Sequence, residues 1–163
     1  MDTLKAGLAN VFKSQPGSPA DAARGIADAY DTYCQAGLAA PGKPIFTGAE
    51  KKAFEGIILG ALSLGDKGSS AKVAEAFSTA LETYWMAPPV MFSGGPATGV
   101  VTAAPGAKAI IAPLTAALSN TENTEDLIAA SIATQLDIAT KTVLVTYSTP
   151  TPPAGPPPPA TVV

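Results

Sequence analysis

The chain has 163 residues, 47% of them hydrophobic and only 14% charged. That is long enough for one domain with a sizeable core, and poorer in charge than the roughly 25% usual for soluble domains. A net charge of −3 without a basic run gives a nucleic-acid partner little electrostatic support, and the lack of histidine removes the commonest general base and zinc ligand.

Reading from the N-terminus, Met1 to Lys5 lacks the charged-then-apolar build of a signal peptide. No apolar run approaches the roughly 20 residues that span a bilayer. A cytoplasmic chain, or one released on lysis, is therefore expected, without membrane contact.

Three helix starts follow at roughly 50-residue intervals: Ser18-Pro19-Ala20-Asp21, Ser69-Ser70-Ala71-Lys72 and Thr124-Glu125-Asp126-Leu127. Each offers a hydroxyl to the free N–H groups of a first turn, and Pro19 suits the first helical position. In this register Ala23, Ala74 and Ala129 correspond, as do Ile26, Phe77 and Ile132, then Tyr30, Leu81 and Leu136. Upstream, Leu8, Leu59 and Leu114 align, and Ile45-Phe46-Thr47 matches Val100-Val101-Thr102.

The expected fold is mainly α: a compact bundle of about six helices arranged as three helical hairpins, with short extended segments. The hairpins cover about 3–36, 48–86 and 105–141, within a single domain over 1–147. Each second helix carries one apolar stripe at three- and four-residue spacing, which a lone hairpin cannot cover. Pro113 predicts that the fifth helix starts late or kinks. Val90-Met91-Phe92 and Gly99 to Thr102 flank a Gly-Pro turn and predict a β-hairpin. Thr142 to Tyr147 alternates and reads as a strand, so a small sheet capping the bundle is plausible on pattern. Residues 148–163 form a Pro-rich tail with Pro156, Pro157, Pro158 and Pro159 in a row. It is expected to be disordered or polyproline-like, and ordered only by a partner.

Few residues offer chemistry. Cys34 has no basic neighbour and reads as a packing residue, and no second cysteine exists for an intrachain disulfide. Glu122, Glu125 and Asp126 sit where a helix N-terminus favours negative charge, without the ordered oxygen ligands of a Ca²⁺ loop. Gly94 to Gly99 lacks the Lys-Ser/Thr ending of a phosphate loop. No catalytic residue, cofactor, metal or small-molecule substrate is expected. The densest large-apolar cluster is Trp85, Met86, Val90, Met91 and Phe92, which suits either core or a contact surface. These residues, Tyr147 and the four consecutive prolines are the candidate interaction residues.

Several segments carry a likeness: Leu81-Glu82-Thr83-Tyr84-Trp85, Pro89-Val90, the Gly95 to Thr102 loop, and Ala139 to Thr146 running into the proline tail. Across about residues 70–150 the chain resembles minor virion structural proteins of tailed bacteriophages. The resemblance implies a neck, tail or baseplate component, with copies of itself and other virion proteins as partners and no catalysis. A bacterial helical adaptor that binds through its proline tail is the alternative. A carboxylate-only enzyme is a third class, and replacing Glu122, Glu125 and Asp126 together would abolish its activity.

Overall fold

The computed structural model describes residues 1–37, 42–65, 68–87, 89–94, 97–148 and 160–161. Among them are six α-helices: α1 (Asp2–Lys13), α2 (Pro19–Gln35), α3 (Ala49–Leu62), α4 (Ser70–Met86), α5 (Ile111–Ser119) and α6 (Glu125–Lys141). Five strands, β1 (Lys43–Ile45), β2 (Met91–Gly94), β3 (Ala97–Ala103), β4 (Leu144–Ser148) and β5 (Ala160–Thr161), form one antiparallel sheet in chain order. The protein is mainly helical with a small sheet.

The three long helices start where the hydroxyls predict. Ser18 Oγ accepts from the Asp21 N–H at 3.2 Å, Ser69 Oγ from Lys72 at 3.2 Å, and Thr124 Oγ1 from Leu127 at 3.4 Å. Each satisfies a first-turn donor that has no carbonyl within the helix. α3 starts differently, at Gly48 in the left-handed region with φ 85°. The buried Glu50 carboxylate there accepts from the Thr47 N–H at 3.0 Å.

Pro113 delays the fifth helix as expected. Residues Pro105–Ile110 form a 3-10 turn, and α5 begins only at Ile111. Pro113 then falls in the first α-helical turn, where its missing N–H costs nothing.

Packing closes the helices into a ring. Each neighbours the next in sequence, and α1 also packs on α6. Into the middle go Leu4 and Leu8, Phe54 and Ile58, then Ile110 and Leu114, all at most 1% exposed. The expected position of Leu59 is corrected here: Ile58 fills it, and Leu59 lies only at the core's margin. Phe54 decides the phase, because residues four apart share a helix face.

The sheet lays one face on this ring. Phe92, Val101 and Val145 point inward and are at most 2% exposed. Gly99 lies between Phe92 and Tyr147 in register, and the Tyr147 ring covers the space where a side chain would stand. The predicted hairpin is β2–β3, and the last predicted strand is β4, which begins two residues later than expected because Thr142, still in helical backbone conformation, caps α6. The expectation of a tail ordered only by a partner is corrected at one place. Ala160 and Thr161 pair with Val145 and Leu144 of the same sheet, because β4 leaves a backbone edge open there.

Candidate functional site

Two features stand out from the packing, a polar network at one end of the long helices and the uncovered face of the sheet. The network starts from Tyr30 on α2, which is fully buried. Its hydroxyl accepts from Trp85 Nε1 at 2.9 Å and shares a hydrogen bond with Thr140 Oγ1 at 2.8 Å. Beside it the Tyr84 hydroxyl donates to Asp31 Oδ1 at 2.8 Å, and Gln35 Nε2 donates to Asp31 Oδ2 at 2.7 Å. Further out, the Tyr33 hydroxyl donates to Asp137 Oδ1 at 2.6 Å while Lys141 Nζ reaches Asp137 Oδ2 at 3.0 Å. Single side chains thereby tie α2 to both α4 and α6.

The electrostatics follow from burial and pairing. Burial pushes the Tyr30, Tyr33 and Tyr84 hydroxyls well above the usual tyrosine range, and the Asp137 and Asp31 carboxylates add to the effect on Tyr33 and Tyr84. All three stay protonated, Tyr33 and Tyr84 as donors to the carboxylates. Burial likewise pushes the Cys34 thiol well above its ordinary range. Asp137 goes the other way. Burial alone would raise it, but hydrogen bonds from Tyr33 and Lys141, with the Lys141 charge, hold it below the usual carboxylate value.

A cleft of about 310 Å³ opens at this end, lined by residues that include Tyr33, Cys34, Asp137, Thr140 and Lys141. Asp137 and Lys141 in it are already engaged with each other, and Cys34 is 1% exposed. Glu122, Glu125 and Asp126 lie elsewhere, exposed around the start of α6, with Asp126 paired to Lys13 at 2.8 Å. Among the described residues no group of three or more Cys, Asp or Glu is arranged to hold a metal ion. Also among them, no helix is long and apolar enough to cross a membrane.

The candidate interaction residues divide sharply. Trp85 is fully buried, its ring T-shaped against Tyr84 and Phe46 and stacked on Phe92 at 6.4 Å. Val90 and Phe92 are also buried, and Tyr147 is 6% exposed. These four are corrected to core residues. The hairpin folds back over the end of α4 and seals them, so none can meet a partner without opening the sheet. Met86 is half-buried against the same core, and Met91 remains outward at 44% exposure. Pro156, Pro157, Pro158 and Pro159 lie outside the described residues.

Met91 belongs to a row that the sequence reading missed. Register places Ile45, Met91, Val100 and Thr146 side by side across β1 to β4 on the outer face. Ile45 is 52% exposed, and Val100 is half-buried. Strand alternation around Met91 was the available signal, since Phe92 facing in requires Met91 facing out.

No protein-family model matches the chain, and neither does any curated protein or solved structure.

Proposed function

We propose that the protein is a non-enzymatic structural subunit of a tailed-phage particle, making contacts with copies of itself and with other virion proteins. The observation that carries this reading is the outward row Ile45–Met91–Val100, an apolar row left open among the serines and threonines of the outer sheet face, on a chain with only 14% charged residues. Exposed apolar residues gathered in this way serve association better than solvation. The polar network supports the same reading from the other side. Its carboxylates, hydroxyls and ammonium group satisfy one another and stiffen the bundle, as a building block requires, instead of waiting for a substrate.

An origin by repetition of one helical hairpin belongs to this proposal. α2, α4 and α6 are each 17 residues long. They bury Ala23, Ala74 and Ala129 at one level, Ile26, Phe77 and Ile132 at the next, then Tyr30, Leu81 and Leu136. The segment before each cap contributes two buried apolar residues four apart, Leu4 and Leu8, Phe54 and Ile58, then Ile110 and Leu114.

Light scattering on size-exclusion fractions and mass spectrometry of purified particles test the reading. Oligomers, or the chain among the particle's proteins, are expected, and Met91→Asp should weaken either association while leaving the fold intact. A strict monomer at high concentration that is also absent from particles sinks it.

A further inference from the structure

Beyond the sheet row, two large apolar side chains stand exposed on one helix. Leu127 and Ile138 of α6 are 53% and 50% exposed. Eleven residues separate them, which is close to three helical turns, so both stand on one side of α6 about 16 Å apart along its axis. That side lies opposite the buried stripe of Ala129, Ile132 and Leu136. Between the pair, Ser131 and Thr134 are small and half-buried, and the Thr134 hydroxyl is spent on the Ala130 carbonyl at 2.8 Å. From Leu127 to Ile138 the helix has one charged residue, Asp137, and it is buried against Tyr33 and Lys141. The outer face of α6 is thus apolar at both ends, small in the middle and uncharged between, although it looks to solvent.

The pattern reads the same in both directions. Leu127, Ser131, Thr134 and Ile138 follow at spacings of four, three and four, in the order large, small, small, large. A second α6 laid antiparallel over this face sets Leu127 against Ile138 of the copy, and Ile138 against its Leu127. Ser131 then meets Thr134 at the crossing, where small side chains let two helix axes come close. Charge obeys the same two-fold. The approach to α6 and its first turn carry Glu122, Glu125 and Asp126, and its last turn carries Lys141, whose side chain is 51% exposed. Lys13 holds Asp126, while among the described residues Glu122 and Glu125 have no ion pair. An antiparallel copy brings its Lys141 to this acidic end and opposes the two helix dipoles, whereas a parallel copy sets like ends together.

We infer that the outer face of α6 is a two-fold contact with a second copy of this chain, the two α6 helices packing antiparallel about the Ser131–Thr134 crossing. The inference rests on the assembly reading above, and it adds a named partner and a contact on a different element from the Met91 row.

Full-length Leu127→Cys and Ile138→Cys chains, one isotopically labelled, are mixed in the native state, oxidised and weighed by mass spectrometry. Mixed disulfide dimers should exceed the half that random collision yields, because position 127 meets position 138 of the copy and stands about 16 Å from its own counterpart. Buried Cys34 stays out of this chemistry, and the unsubstituted chain serves as the blank. Mixed dimers at or below the random share overturn the antiparallel register, and the absence of any disulfide overturns the contact. Ile138→Asp should raise the concentration needed for half-dimerisation by about tenfold or more in light scattering, with far-UV circular dichroism unchanged. If Ile138→Asp leaves oligomers intact while Met91→Asp dissolves them, assembly stands and the α6 contact fails. If the unsubstituted chain is monomeric alone and Ile138→Asp lowers its incorporation into particles, a different virion protein covers α6 and the two-fold contact falls. A monomeric chain absent from particles overturns both readings.

Discussion

Replacing Tyr30 by Phe keeps the ring, with its 5.0 Å contacts to Phe54 and Tyr84, and removes only the hydroxyl. That hydroxyl is the acceptor for the Trp85 indole N–H and the partner of Thr140 Oγ1, and the Cys34 thiol lies beside it. Trp85 is fully buried, so its N–H is left with neither protein nor solvent as acceptor. An unsatisfied buried donor costs about 1–3 kcal/mol, and the lost Thr140 bond adds about 0.5–1.5 kcal/mol. The Thr140 hydroxyl can turn toward a carbonyl of its own helix, which offsets part of the second cost. A net loss of about 2–3 kcal/mol is expected, corresponding to about 5–10 °C in midpoint for a domain of this size. Urea titration followed by Trp85 fluorescence, with far-UV circular dichroism as a second probe, measures it. Thr140→Val leaves the indole satisfied and should cost only about 1 kcal/mol. The double variant should lose less than the two singles combined, since both remove the same bond. A Tyr30→Phe unfolding free energy within about 0.5 kcal/mol of the parent's would refute the claim that this hydroxyl satisfies Trp85.

Asp137 supplies a pH dependence. Its folded pKa lies below the ordinary value of about 3.9, so its stabilising contribution is complete above that pH and fades as pH falls through the folded value. Asp137→Asn should therefore be less stable than the parent by a constant margin near neutrality, and the margin should narrow below about pH 4. A margin that stays unchanged in denaturant titrations down to about pH 3 would contradict the Tyr33–Asp137–Lys141 arrangement. Gly99→Ala tests the sheet, because an added Cβ would lie 2.5 Å from Tyr147 Cε1 and 2.8 Å from Val145 Cγ1. A loss of about 1–3 kcal/mol is expected from overpacking. An unchanged thermal midpoint would show that Tyr147 does not cover this strand.

What could be read from the sequence was local. Ser18, Ser69 and Thr124 marked helix starts because capping needs only a hydroxyl three residues from a free N–H. Pro113 delayed α5 for an equally local reason, and the turn after Phe92 and the alternation around Val145 announced strands. Ile57-Ile58-Leu59 marks the boundary of such reasoning. Three adjacent apolar residues satisfy a helix in more than one phase, and contact with the rest of the ring selected Ile58. The Trp85–Phe92 cluster shows the same limit at the candidate site. A large apolar side chain fits a core and an interface equally well, and only the hairpin folding back over α4 sent Trp85, Val90 and Phe92 inward while leaving Met91 out. Composition alone determined that the chain would be poor in charge and without histidine, and periodicity that it would be mainly helical. Tertiary structure decided which hydroxyl meets which carboxylate, because partners such as Tyr30 and Thr140 lie more than a hundred residues apart. Neither residue carries any trace of the other until the ring of helices closes.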